Sequence, residues 1–203
     1  MVIRNTSGSL FPQGLTELKR VYDDFTANVP NWLTITGATS VNTDESLVIT
    51  KGAVPVKIET KAINCANVDA LWLELNSYRK NTANTNDSFY IKSNDGTEII
   101  EIKNISKASS SDIGVYVNGV LFDTIPATTL VWNYATVANK PSNYAINYNI
   151  LLGTLTLLYN EDIVWEKVIN PIITKSKSFS VGFESDSEAI TIAQIKYNIW
   201  KTL

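Results

Sequence analysis

Tyr144-Ala-Ile-Asn-Tyr-Asn-Ile150, Gly153-Thr-Leu-Thr-Leu-Leu-Tyr159 and Asp162-Ile-Val-Trp-Glu-Lys-Val-Ile169 follow one another with only short polar breaks, and Phe179-Ser-Val-Gly-Phe183 and Thr191 to Ile199 complete the run. Tyr144, Ile146, Tyr148 and Ile150 alternate with Ala145, Asn147 and Asn149, and Leu155, Leu157 and Tyr159 share one side of the next segment. Period-two alternation bounded by Asn, Asp and Gly is the signature of half-buried antiparallel strands. Trp165, which alternates with Ile163 and Ile169, belongs in the core on this pattern. Trp32 and Trp200 are expected to pack at the edges of a sandwich.

The same pattern extends upstream. Candidate strands run from Val21 to Thr26, Trp32 to Thr36, Leu47 to Thr50, Val54 to Ile63, Ala70 to Tyr78, Phe89 to Ser93, Glu98 to Ile105, Gly114 to Val117, Val120 to Ile125 and Leu130 to Tyr134. Asn118-Gly119 and Asp95-Gly96 are the strongest hairpin signals, because both central residues of the favoured turn need a left-handed backbone. Thr16 to Tyr22 is compatible with one helical turn, and no long amphipathic helix appears. Many short strands without helices predict an all-β, two-sheet antiparallel β-sandwich. The length of 203 residues suits one such domain, with residues 1–15 as a leader or linker and 16–203 as the sandwich.

Composition narrows the function classes. Apolar residues make up 44% and charged residues 18%, below the usual ~25% charged, so Asn, Ser and Thr must cover much of the surface. The net charge of −3 argues against nucleic acid, whose binding surfaces cluster Lys and Arg. With no histidine in the chain, Ser-His-Asp and Cys-His catalysis and the usual zinc sites are excluded. The single cysteine, Cys65, cannot form an internal disulfide and reads as a buried thiol. No signal-peptide pattern and no membrane-spanning apolar run is visible, so no membrane partner is expected.

The segment from Val68 to Arg79 carries the functional expectation. Leu71, Leu73 and Leu75 point one way, and Trp72, Glu74, Asn76 and Tyr78 the other. A core uses the leucines. The second set joins flat aromatics to carboxylate, amide and phenol groups, which suits a sugar: its C–H faces stack on rings while its hydroxyls bond the polar groups. Tyr90 and Tyr116 have the same parity relative to their apolar neighbours, and one shared sheet would gather them with Trp72 into a single patch. Trp132 and Tyr134, beside the loop from Asn139 to Asn143, form a second candidate ligand-binding pair. The other reading of all these side chains is ordinary packing on the solvated face of a sandwich.

Asp23-Asp24-Phe25, Asn31-Trp32 and Ser46-Leu47-Val48-Ile49 resemble the opening of concanavalin A-like (laminin G-like) jelly-roll domains, and Tyr144 to Asn149, Gly153 to Leu157 and Phe179 to Phe183 are similar to their closing strands. The resemblance implies that first and last strands lie side by side, with Phe25 near Ile195 and Tyr197, and that a sheet face forms a glycan groove. It also implies rim loops that often hold calcium. Asn42-Thr-Asp-Glu45, Asn86-Asp87 and Asp186 with Glu188 offer oxygen ligands without a defined spacing, so no metal or cofactor is assigned, and calcium is only a secondary expectation. Glu184-Ser-Asp-Ser-Glu188 copies the outline of a Glu-x-Asp-x-Glu glycosidase signature, but its serine spacers and its place between two strands predict a hairpin loop. Glu74 with Glu166 is the other carboxylate pair to test.

The leader-like N-terminus and Lys/Asn/Ile-rich composition are similar to accessory modules of bacteriophage tail and baseplate proteins. That resemblance implies a non-catalytic carbohydrate-binding module that adheres to cell-surface polysaccharide or oligosaccharide, on a virion or extracellular surface, with other tail proteins as further partners. A structural virion or protein–protein module and a carboxylate-dependent glycoside hydrolase are the alternatives.

Overall fold

The computed structural model describes residues 2–4, 10–12, 15–23, 32–43, 46–64, 66, 68–80, 86–103, 112–126, 142–169 and 178–202; for 2–4, 10–12, 15–23, 38–43, 77–80, 142 and 202 the description is of the backbone alone. In chain order the strands are β1 (Val2–Arg4), β2 (Leu10–Pro12), β3 (Leu15–Asp23), β4 (Leu33–Thr36), β5 (Ala38–Thr43), β6 (Ser46–Lys51), β7 (Val56–Thr60), β8 (Ile63–Asn64), β9 (Ala70–Lys80) and β10 (Asp87–Ser93). They continue with β11 (Ile99–Lys103), β12 (Ile113–Val117), β13 (Val120–Ile125), β14 (Ser142–Asn149), β15 (Thr154–Tyr159), β16 (Asp162–Val168), β17 (Ser178–Ser185), β18 (Ala189–Ile192) and β19 (Gln194–Thr202).

These strands form two large antiparallel sheets. The first has the order β13-β12-β11-β10-β17-β7-β4, with β8 also on β17. The second runs β16-β15-β14-β9, and β9 then serves two neighbours: Ala70 to Asn76 pair with β19, while Arg79 and Lys80 pair with β18. From there β19 leads to β3, and β18 to β6 and β5. The expected two-sheet antiparallel sandwich is therefore what the chain forms. First and last strands do lie together, with Ile195 opposite Asp23 and Tyr197 opposite Val21; Phe25 and Cys65 fall outside the described residues.

The alternation read from the sequence sorts the side chains correctly. Leu71, Leu73 and Leu75 are at most 1% exposed, as are Tyr144, Ile146, Tyr148, Phe179, Val181 and Phe183. Burying one such side chain is worth roughly 1.5–3 kcal/mol, which is why the parity of every central strand is set by its apolar residues. Phe89 meets Phe183 edge-on across β10 and β17, with ring centroids 5.4 Å apart. Trp165 reaches inward from β16 and donates its indole N–H to Asp123 of β13 at 2.8 Å, where Lys167 also pairs at 2.7 Å. That contact ties the terminal strands of the two sheets to each other. Trp32 stacks on Tyr197 at 6.1 Å, and Trp200 is buried.

Turn chemistry also holds. Asn118 and Gly119 have φ of 50° and 78°, and Asn160 and Glu161 have 47° and 72°, so both hairpins close through left-handed pairs. Asp95 caps its own turn by accepting from the Ser93 hydroxyl and from the Thr97 backbone and hydroxyl.

Two local expectations, on Thr16 to Tyr22 and on Glu184 to Glu188, are corrected. Thr16 to Tyr22 is not a helical turn but the body of β3, because pairing with β19 satisfies its backbone over Leu15–Asp23. Val2–Arg4 and Leu10–Pro12 pair with each other as a small ribbon. The Glu184 to Glu188 segment is not a hairpin: β17 belongs to the first sheet and β18 to the second, so the chain crosses between sheets there. A buried hydrogen bond from the Ser185 hydroxyl to Asp87 at 2.6 Å, and one from the Ser187 N–H to Ser185, anchor that crossing.

Candidate functional site

β9 runs through the middle of the second sheet, between β14 and β19, so its outward side chains have neighbours on both flanks. Trp72 stands in one cross-strand row with Asn147 on β14 and Asn198 on β19, and the row continues to Thr156 and Glu166. Glu74 occupies the next row between Ala145 and Lys196, and Asn76 lies beside Gln194. Trp72, Glu74 and Asn76 are half-buried, as the opposite parity to the three leucines requires.

The hydrogen bonds on this face are directional. The Trp72 indole N–H is donated to Glu74 Oε2 at 3.0 Å, and Lys196 Nζ reaches the same oxygen at 3.4 Å. Glu74 thereby fixes the indole by its edge and leaves the ring plane uncommitted. Asn76 donates its amide to Gln194 at 2.6 Å, and Thr156 donates to Glu166 at 2.9 Å. Among the described residues, three acceptors on this face have no donor: the buried side-chain carbonyl oxygens of Asn76, Asn147 and Asn198. Two of them flank Trp72 in its own row. An unmet buried acceptor costs about 1–3 kcal/mol, and the Ser180 hydroxyl on the first sheet is in the same state. Asn198 is 3% exposed, so its carbonyl sits at the floor of the face.

Tyr90 and Tyr116 are not part of this patch. Both belong to the first sheet, on β10 and β12, so they project from the opposite side of the sandwich. The Tyr90 ring lies over Gly182, where an added Cβ would stand 2.3 Å from Cζ, and its hydroxyl is donated to Glu59 at 2.7 Å. Lys92 pairs with the same Glu59 oxygen at 2.6 Å and hangs 5.4 Å from the Tyr90 ring. Burial by itself raises Glu59, but the bonds from Lys92 and Tyr90 and the Lys92 charge outweigh it and hold the carboxyl below its ordinary value. Burial, then the bond to Glu59, pushes the Tyr90 phenol up. Tyr116 lies over Gly114 with Lys103 at 4.9 Å from its ring, and Lys103 pairs with Glu101 at 3.0 Å. On this face the charged groups answer one another.

The remaining candidates separate further. Tyr78 lies on β9 with its backbone opposite Ser142; its side chain, and Trp132 and Tyr134 entirely, lie outside the described residues. Glu184 pairs with Lys57 at 3.0 Å on the outer side of the first sheet, while Asp186 has left the strand and takes contacts from Lys51 and Asn86. The three carboxylates of Glu184 to Glu188 therefore do not line one groove. Glu74 and Glu166 share a face but stand three strand spacings apart, ~14 Å between backbones. Among the described residues no group of three or more His, Cys, Asp or Glu gathers as a metal cluster. Sequence reasoning missed Asn147 and Asn198. A signal existed, since asparagine is depleted inside strands and both alternate with buried residues.

No protein-family model matches the sequence, and no curated protein matches it. Solved structures do match in fold. The potassium-bound carbohydrate recognition domain of Emp46p aligns with a TM-score of 0.60 at 13% identity, covering 89% of this chain and 95% of its own. A lectin from Bauhinia forficata in complex with GalNAc gives 0.60 at 12% identity over 93% and 100%. The β-glucanase of Bacillus licheniformis gives 0.56 at 10% identity over 88% and 97%. The chain has the concanavalin A-like jelly-roll fold, an architecture shared by lectins and glycan-cleaving enzymes. The fold leaves open which of these classes the chain joins; the side chains on its two faces bear on that choice.

Proposed function

We propose that this chain is a non-catalytic carbohydrate-binding module whose ligand lies on the Trp72 face of the second sheet. The observation that carries the reading is the row Asn147–Trp72–Asn198, where an aromatic ring held by its edge is flanked by two buried carbonyls without donors. A saccharide supplies what that row lacks, a C–H face for the indole and hydroxyl donors for the amides. The carbohydrate recognition domain and the GalNAc-bound lectin among the structural neighbours support the reading. The non-catalytic assignment rests on the carboxylates. Glu74 is committed to Trp72 and Lys196, and Glu166, three strands away, is engaged by the Thr156 hydroxyl. The proposed setting is adhesion to cell-surface polysaccharide by a phage tail or baseplate accessory protein, on a virion or extracellular surface, where many weak sites act together.

Binding of the purified protein to soluble cell-wall polysaccharide, compared with Trp72→Ala, tests this. We expect millimolar to high-micromolar affinity per site and at least a tenfold loss in the variant. Equal binding by both proteins would remove the Trp72 face from the site. Release of reducing sugar, abolished in Glu74→Gln, would replace the module with a hydrolase.

A further inference from the structure

The polar groups around Trp72 differ in what they have left to offer. Glu74 is taken up by the indole N–H and by Lys196, Thr156 spends its hydroxyl on Glu166, and Asn76 spends its amide N–H on Gln194. Asn147 and Asn198 are different. The carbonyl oxygen of each has no partner, and among the described residues no hydrogen bond uses the side-chain N–H groups of either. Each therefore keeps a donor and an acceptor side by side on one planar amide. They stand in register on either side of Trp72, one strand away on β14 and on β19. That sets their backbones about 4.8 Å from that of Trp72 and about 10 Å from each other. The terminal torsion of asparagine is broad, so rotation about it turns the amide from the sheet toward a group arriving beside the indole.

Resting on the saccharide-binding reading above, we propose that this site takes sugars with two adjacent free hydroxyls, on a saccharide chain laid across the strands. One hydroxyl of such a pair donates to the amide oxygen while its neighbour accepts from the amide N–H, so one sugar fills both vacant functions of an asparagine. A lone hydroxyl fills one of the two. A secondary acetamido group does no better, because its N–H and C=O point in opposite directions. The direction of the chain follows from the row. Along Asn147–Trp72–Asn198, a ring stacked on the indole has an amide under the sugar on each side of it. A chain running along β9 instead passes over Glu74 and Asn76, whose side chains are already engaged.

The test is calorimetric titration of the full chain with neutral tetramers that differ in this one feature. In β-1,4-linked glucose and β-1,4-linked mannose every unit keeps adjacent hydroxyls on C2 and C3. In β-1,3-linked glucose the internal units have no adjacent pair, and in β-1,4-linked N-acetylglucosamine the acetamido group replaces one of the two. The better of the two 1,4-linked hexose tetramers is expected to bind at least about tenfold more tightly than the 1,3-linked and N-acetylated ones, which forgo one hydrogen bond of each pair. Asn147→Leu and Asn198→Leu are close in size to the native residue, and either one, once shown to be folded, is expected to lose that preference together with at least tenfold in affinity.

A 1,3-linked or N-acetylated tetramer that binds as tightly as the best hexose tetramer overturns the proposal and leaves saccharide binding intact. A folded asparagine variant that keeps the preference does the same. Should cell-wall polysaccharide bind and no tetramer do so, periodate cleavage of its adjacent hydroxyl pairs decides: loss of binding supports the proposal, and unchanged binding overturns it. Failure of every tetramer and of the polysaccharide overturns the saccharide reading and this proposal with it.

Discussion

The two outer faces of the sandwich solve the same problem in opposite ways. On the first sheet, Glu59 sits within reach of both Tyr90 and Lys92, Glu184 pairs with Lys57, and Glu101 with Lys103, so charged side chains find partners inside the protein. On the second sheet, the amide carbonyls around Trp72 find none. The first face is held by ion pairs and leaves the Ser180 hydroxyl without a hydrogen-bond partner, whereas the second leaves three side-chain carbonyls in that state, two of them beside Trp72. The contrast makes polar satisfaction a better guide to the site than aromatic content. By aromatics alone, Tyr90 and Tyr116 would rank beside Trp72.

Substitutions that act on one face and spare the other can break the comparison. The largest effect is expected from Gly182→Ala, whose Cβ would enter the space of the buried Tyr90 ring at 2.3 Å. Displacing that ring and its bond to Glu59 should cost about 2–3 kcal/mol in urea unfolding, without changing saccharide affinity once folded. Gly114→Ala meets the Tyr116 ring at 2.5 Å, but that ring is only half-buried and can swing outward, so the cost should be well below that of Gly182→Ala.

Next comes Glu59→Leu, which leaves a buried phenol and a lysine without their acceptor and should destabilise by about 1–2 kcal/mol after allowance for solvent screening. The corresponding swap on the other face, Asn147→Leu, should do the reverse and raise stability by about 0.5–1 kcal/mol, since it removes an acceptor that had no partner. Two substitutions of polar by apolar, of opposite sign, are the sharpest form of the contrast. If both destabilise equally, the distinction between the faces fails.

The smallest effect is one of pH. Glu59 lies below its ordinary value of 4.5 in the folded protein, so its contribution is complete above that pH and disappears as acid carries the solution through the lower folded value. The stability gap between wild type and Glu59→Gln, about 0.5–1 kcal/mol near neutrality, should therefore close as the solution is acidified below the ordinary carboxylate value. A gap that instead widens in acid would mean that Glu59 is not held ionised by Lys92 and Tyr90.

Much of this molecule was legible before any coordinates. Period-two alternation named Leu71, Leu73 and Leu75, the Tyr144 to Ile150 set and Phe179, Val181 and Phe183 as core, and Asn118-Gly119 as a hairpin, because those properties depend on near neighbours in the chain and on water. The split between Trp72 outward and Leu73 inward was legible for the same reason. Sheet membership was not. Tyr90 and Trp72 have the same local pattern, yet β10 pairs with β17 and β11 while β9 pairs with β14 and β19. The pairings of β10 with β17 and of β9 with β14 and β19 join residues 64 to 130 positions apart, and no local pattern encodes them. Leu15–Asp23 became a strand rather than a helical turn because β19 was there to pair with it, and Glu184 to Glu188 became a crossing because its two strands joined different sheets. The chain alone decided which side chains face the core. Only the tertiary pairing decided which outward side chains become neighbours, and so left Asn147 and Asn198 on either side of Trp72.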